Sequence, residues 1–146
     1  DKHSRTLIVS NIELLLNYCT RFYERQFITR VNANRDVLAG FEHLLGDYFQ
    51  DDRPEREGVP TVRWCAEQLH LSPNYFGDLV KKETGKSAQE YIQLTTIDRA
   101  KELLTEGGRS VSEIAYELGF KYPHHLSRLF KKVVGYTPNE YKTLSV

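Results

Sequence analysis

Apolar residues recur along this chain at three- and four-residue spacing, and nowhere do they alternate with period two for long. That pattern predicts helices. Start and stop signals cut it into pieces. Pro73 follows Ser72, Pro123 follows Tyr122 and Pro138 follows Thr137. Each proline suits the first turn of a helix, where its missing N–H is no loss. Ser87 with Glu90, Ser110 with Glu113, and Thr137 with Glu140 have the spacing of a capping box, in which each side chain satisfies the other's backbone N–H. Gly85, the pair Gly107 and Gly108, and Gly135 stand where helices should stop, since glycine enters the left-handed conformation at little cost. The expected helices are 6–29, 36–50, 62–69, 73–83, 88–105, 111–118, 123–133 and 138–144, with a short break at 32–34. The polar, proline-bounded stretch 51–60 reads as a surface loop. The fold class is all-α.

Two of these helices carry unusual stripes. In the first, Ile8, Ile12, Leu15, Leu16, Cys19, Phe22, Tyr23 and Phe27 form a wide apolar face that something must cover. Two readings stand: packing on its own domain or on a neighbouring one, and pairing between two copies of the chain. The helix 88–105 is apolar on two sides, with Ala88, Tyr91, Ile92 and Leu103 on one half and Leu94, Ile97, Ala100 and Leu104 on the other. It is expected to be buried between neighbours.

An internal repeat is the strongest organising signal. Ala66, Leu69 and Leu71 recur as Ala115, Leu118 and Phe120 at a spacing of 49. Phe76, Leu79, Lys81, Lys82, Gly85, Glu90 and Tyr91 recur as Leu126, Leu129, Lys131, Lys132, Gly135, Glu140 and Tyr141 at a spacing of 50. The extra residue falls in the turn between two short helices. Each copy is a short helix with a central alanine, a tight turn, an amphipathic second helix, a glycine stop and a capped third helix, which is the pattern of a helix-turn-helix. The small Ala66 and Ala115 let the paired helices approach closely. Gly119 fits a turn that wants positive φ; His70 holds that place in the first copy, a poorer but tolerated choice.

Composition narrows the function. The chain has 146 residues, 40% hydrophobic and 27% charged, with 20 basic and 20 acidic residues. Net charge is zero, but its distribution is not even. Residues 1–60 carry 8 basic and 10 acidic side chains, 61–146 carry 12 and 10, and 119–142 carry five basic residues against Glu140 alone. No stretch approaches about 18 uninterrupted apolar residues, so no membrane span is expected. Two cysteines, Cys19 and Cys65, are too few for a disulfide framework and suggest reduced thiols. There is no methionine, which reads as a piece of a longer protein. Gly-rich phosphate loops, clustered Cys and His ligands, and a nucleophile–base arrangement are all missing, so neither enzyme activity, nor a cofactor, nor a metal site is expected. His124 and His125 are adjacent and point to different faces, unlike an i, i+4 metal pair.

The runs SVSEIAYELGF at 110–120, LSRLFKK at 126–132 and GYTPNEY at 135–141 closely resemble the signature of the AraC/XylS transcription regulators. The first copy is similar to that family's more variable first helix-turn-helix, and the resemblance extends over about 36–146. It implies a bacterial, cytoplasmic, nucleoid-associated protein with two homeodomain-like helix-turn-helix units, at about 62–83 and 111–133, joined by a central helix. Residues 36–146 would be the DNA-binding domain. Residues 1–35 would be a helical connector or dimerisation segment built on an amphipathic helix. The implied partners are a double-stranded DNA operator, RNA polymerase and, through the N-terminal helix, a second copy of the chain.

Carried over by position, the resemblance assigns base reading to His124, His125, Ser127 and Arg128 on the second recognition helix, and to Asn74, Tyr75, Gly77, Asp78 and Lys81 on the first. Arginine suits guanine because its fork meets two acceptors at once, asparagine suits adenine, and aspartate accepts from cytosine but repels phosphate. Gly77 and Asp78 depart from the long polar or basic side chains common at their positions, which puts base reading by that turn in question. Lys81, Lys82, Lys131 and Lys132 are placed for phosphates, which set register rather than sequence preference. Helix starts after Thr61 and Ser110 offer further N–H groups to phosphate. The central helix would hold the two recognition helices about one DNA turn apart, roughly 34 Å. The competing reading is a helix-turn-helix scaffold used only for protein contacts, for which the basic, polar face of 121–132 is a poor fit.

Overall fold

The computed structural model describes residues 1–144. Eight helices follow in order: α1 (Lys2–Gln50), α2 (Arg53–Glu57), α3 (Val62–Gln68), α4 (Pro73–Thr84), α5 (Ala88–Glu106), α6 (Val111–Glu117), α7 (Pro123–Val134) and α8 (Pro138–Leu144). There is no strand among the described residues. The all-α expectation is borne out. None of these helices is long and apolar enough to cross a membrane. Contacts divide the chain into two units, Asp1–Val37 and Leu38–Val146, of which residues 145 and 146, included in the expected DNA-binding domain, lie outside the described residues.

Two expectations need correction. The break at 32–34 does not occur: α1 is one helix through it. Asparagine is a weak helix former but costs at most about 0.7 kcal/mol against alanine, and no proline or glycine between Arg30 and Ala39 forces a stop. Nor is 51–60 only a loop, because α2 forms inside it. Pro54 suits its first turn, Glu55 lies near the positive end of the helix dipole, and Arg56 reaches back to Asp52 at 3.2 Å. Both prolines flanking the segment's turn, Pro54 and Pro60, are buried.

In the first unit, residues 1–30 are exposed throughout, with Leu7, Ile8, Ile12, Leu15, Phe22 and Phe27 all more than half accessible. The core lies in the second unit. Phe41, Leu45 and Tyr48 from the end of α1, Cys65 and Ala66 of α3, and Phe76, Leu79 and Val80 of α4 are all buried. Phe41 stands edge-on to Phe76, with ring centres 4.9 Å apart, and 5.0 Å from Tyr91. Ile114, Ala115, Leu118, Leu126 and Phe130 make the matching core of the second half, and Tyr141 closes over Phe130 at 5.4 Å. Helix α5 runs between the halves. It packs against α3, α4, α6, α7 and α8, which is why it is apolar on two sides. Its buried Thr96 donates its hydroxyl to the Ile92 carbonyl at 2.7 Å, so no orphan polar group enters the core.

The backbone bonds at the turns and helix ends recur in both copies of the repeat. Leu71 N–H donates to the Ala66 carbonyl at 2.9 Å, and Phe120 N–H to the Ala115 carbonyl at 2.9 Å. His70 N–H reaches Glu67 at 3.1 Å, and Gly119 N–H reaches Tyr116 at 3.1 Å. Gly85 and Gly135, left-handed with φ 75° and 91°, close α4 and α7 by donating to Lys81 and Lys131 at 2.9 and 2.8 Å. The turn residues have φ 59° at His70 and 96° at Gly119, as the alignment of the copies requires. The serine arm of the capping box forms at Ser87 and Ser110, and both arms form at Thr137 and Glu140.

Candidate nucleic-acid interface

A recognition helix needs one face anchored in the core and another bare. In α4, Phe76, Leu79 and Val80 take the buried face, which leaves Asn74, Tyr75, Asp78, Lys81 and Lys82 exposed on the other. In α7, Leu126 and Phe130 are buried, and His124, His125, Arg128, Lys131 and Lys132 are exposed. Gly77 and Ser127 are half-buried at the edge of each face. Helical spacing then lines up 74, 78 and 81 along one helix and 124, 128 and 131 along the other. Each helix thus brings its own expected residues together as one strip.

The two strips differ chemically. Position for position, Asn74, Tyr75, Asp78, Lys81 and Lys82 correspond to His124, His125, Arg128, Lys131 and Lys132. The first strip carries an acid where the second carries an arginine. Arg128 has no acidic partner among the described residues, so its fork is open. Lys81 is engaged: its ammonium donates to the Gly85 carbonyl at 3.0 Å, at the negative end of α4. The Ser127 hydroxyl turns back to the Pro123 carbonyl at 3.4 Å.

The helix starts are equally unlike. Ser72 caps α4 by accepting from the Tyr75 N–H at 3.2 Å. Tyr122 occupies the same place before α7 and gives no side-chain cap. Its exposed ring instead stacks on His124, with centres 5.6 Å apart and planes 22° apart, and the Lys121 ammonium stands 5.5 Å from the ring centre. His125 crosses His124 edge-on at 4.4 Å. Lys121 and Tyr122 thus extend the basic, aromatic strip beyond the residues that the sequence pointed to. A signal was present, in the loss of the small capping residue where the other copy has Ser72. The helix starts after Thr61 and Ser110 are capped by their own side chains, from Trp64 N–H at 3.0 Å and Glu113 N–H at 3.1 Å.

Two further reactive groups are held inert by placement. Burial pushes the Cys65 thiol up to about 12, so no thiolate forms near neutral pH. Burial and the bond from its hydroxyl to Glu42 at 2.8 Å push Tyr91 up to about 12. Among the described residues no three His, Cys, Asp or Glu side chains converge as a metal site.

A helix-turn-helix domain model matches residues 65–143. An uncharacterised helix-turn-helix transcriptional regulator of Bacillus subtilis, YfiF, is 34% identical over 97% of this chain and 41% of its own length. The transcriptional activator RhaS of Salmonella paratyphi B is 34% identical over 90% of this chain and 45% of its own. The chain spans less than half the length of the curated relatives it matches. Among solved structures, the C-terminal domain of AraT, a response regulator from Geobacillus stearothermophilus, is similar with TM-score 0.64 and 27% identity, covering 74% of this chain and 84% of that one. The DNA-binding domain of AdpA, solved with a target DNA, has the same fold, with TM-score 0.60 at 22% identity over 76% of this chain and 90% of its own.

Proposed function

Because the chain belongs to the AraC/XylS family of helix-turn-helix transcriptional regulators, we propose that residues 36–146 bind double-stranded DNA sequence-specifically, with α4 and α7 in adjacent major grooves. The observation that carries this reading is the pair of bare strips, Asn74 to Lys82 and His124 to Lys132, presented by two copies of one hydrogen-bonded frame. Arg128 reads a guanine, while Lys82, Lys131 and Lys132 meet phosphates. Asn74, Tyr75, His124, His125 and Ser127 lie at the groove floor or its edges. Asp78 disfavours phosphate and restricts α4 to a base that donates, such as cytosine. Lys81 contributes less, because its charge is partly committed to closing α4.

The decisive experiment is selection of bound duplexes from a random pool, followed by titration of the winner at several salt concentrations. Log affinity should fall linearly with log salt, by about 0.9 for each phosphate neutralised. A flat response would transfer these strips to protein partners instead.

In the cell this protein would act in the bacterial cytoplasm, on the nucleoid. Its second partner would be RNA polymerase, a reading supported by a relative that is itself a transcriptional activator. Residues 1–35 serve as a connector that pairs two copies. Support comes from the exposed Ile8, Ile12, Leu15, Phe22 and Phe27 on α1. Sedimentation should give a dimer with residues 1–31 present and a monomer without them; a monomer in both cases removes the pairing.

A further inference from the structure

Segment 51–60 takes no part in the strips, yet it is tightly held. The Gly58 N–H donates to the Pro54 carbonyl at 2.8 Å, closing α2 on itself. From α1, the Tyr48 hydroxyl donates to the Gly58 carbonyl at 2.7 Å. Tyr48 is itself immobilised. It is 2% exposed, its ring lies 4.9 Å from Trp64 and 5.8 Å from Phe49, and the Arg53 guanidinium sits 5.1 Å over its face.

On its other side the segment meets the turn of the second helix-turn-helix. A β-carbon on Gly119 would stand 2.5 Å from the Gly58 carbonyl carbon, 2.6 Å from Val59 N and 2.7 Å from the Pro54 carbonyl oxygen. This is backbone against backbone, with no flexible side chain to yield. Gly119 lies between α6 and α7, so whatever holds Gly119 holds the entry to α7. Helix α5 is one connection between the two helix-turn-helix halves, packing against α3 and α4 of the first and α6, α7 and α8 of the second. A second attachment, from the α1 end through Gly58 to Gly119, fixes orientation.

We propose that residues 51–60 are a strap that sets the pitch of the second recognition helix, with Tyr48 and Gly58 as positioning residues for the spacing of the two DNA boxes. This rests on the DNA-binding reading above. Inserting one base pair between boxes rotates one against the other by about a tenth of a turn, so a reader with fixed pitch rejects it and a loosened one does not.

Tyr48→Phe keeps the ring and deletes the bond to Gly58. With the 146-residue chain, affinities are measured for the selected duplex, for versions one base pair longer and shorter between boxes, and for a duplex retaining only the α4 box. The preference for the native spacing should fall about fivefold, the worth of one hydrogen bond, while the single-box affinity holds. An unchanged spacing preference, or an equal loss on every duplex, overturns the proposal. Should Tyr48→Phe unfold the domain, two glycines inserted between Glu57 and Gly58 slacken the strap without touching the core, and the same outcomes apply. Should the wild-type chain select no duplex, the DNA-binding reading fails by itself. The strap is then tested by hydrogen exchange at the Gly119 amide, which must quicken in Tyr48→Phe; an unchanged rate rejects it.

Discussion

At the turn of the first helix-turn-helix stands His70 with φ 59°, and at the same place in the second stands Gly119 with φ 96°. Both turns need the left-handed backbone, and both make the same bond to the residue three back. Only one needs glycine for space. His70 is exposed, whereas Gly119 lies against the backbone of Gly58 and Val59. Positive φ by itself is an inconvenience that a histidine tolerates; a second strand of chain arriving at van der Waals distance is a prohibition. The same contrast runs outward along the helices. The first has a conventional serine cap and a mixed strip with Asp78, and the second has an aromatic, cationic start and an uninterrupted basic strip with Arg128. One frame has been used for an insulated unit and for a strapped, strongly charged one.

The largest effect should come from breaking the difference at the turns. Gly119→Ala meets both left-handed strain and three backbone atoms inside 2.8 Å, so it should cost about 3 kcal/mol or more in denaturant unfolding. His70→Ala keeps the same strain with no collision and should cost about 1 kcal/mol or less. Equal costs would mean that the strap is not seated on Gly119.

Much of this was legible in the chain because it is local. Prolines, caps and glycine stops mark helix ends through bonds spanning three to five residues, and a repeat at spacings of 49 and 50 by itself places His70 in a left-handed turn. The bare face of each recognition helix follows from the buried Phe76, Leu79, Leu126 and Phe130 at helical spacing. Three things were not legible. The continuity of α1 through 32–34 depends on a sum of small propensities, which the asparagines at 32 and 34 lower without reversing. The capping bond from Lys81 to Gly85 is a choice of rotamer. The seat of Gly58 on Gly119 joins residues sixty-one apart with neither a charge nor an apolar side chain to announce it.

Next in size is the contrast between Asp78 and Arg128. Arg128→Ala should weaken the selected duplex by about 1–3 kcal/mol and relax the preference at one base pair. Asp78→Asn removes a repelling charge and should strengthen unselected DNA a few-fold while blurring the choice under α4. Both are read from competition binding against single-base variants of the site. If Arg128→Ala weakened every sequence equally, its fork would be on phosphate, and the strong base readout assigned to the second unit would pass to His124 and His125.

The smallest effect, and the finest test of the comparison, lies in the lysines that follow each strip. Lys131 and Lys81 hold equivalent places at the ends of α7 and α4. An ammonium already donating to a carbonyl at 3.0 Å must surrender that bond, or share it, to meet a phosphate, so Lys81 should neutralise DNA charge less completely than Lys131. Lys131→Ala should therefore lower the slope of log affinity against log salt by about 0.9, uniformly across sequences, and Lys81→Ala by clearly less. The two slopes are measured on the same duplex over the same salt range, so differences in specific readout cancel. Equal reductions would show that the bond to Gly85 gives way on binding and that the two helices approach the DNA backbone alike, which would confine the asymmetry between the two halves to their turns, their helix starts and the exchange of Asp78 for Arg128.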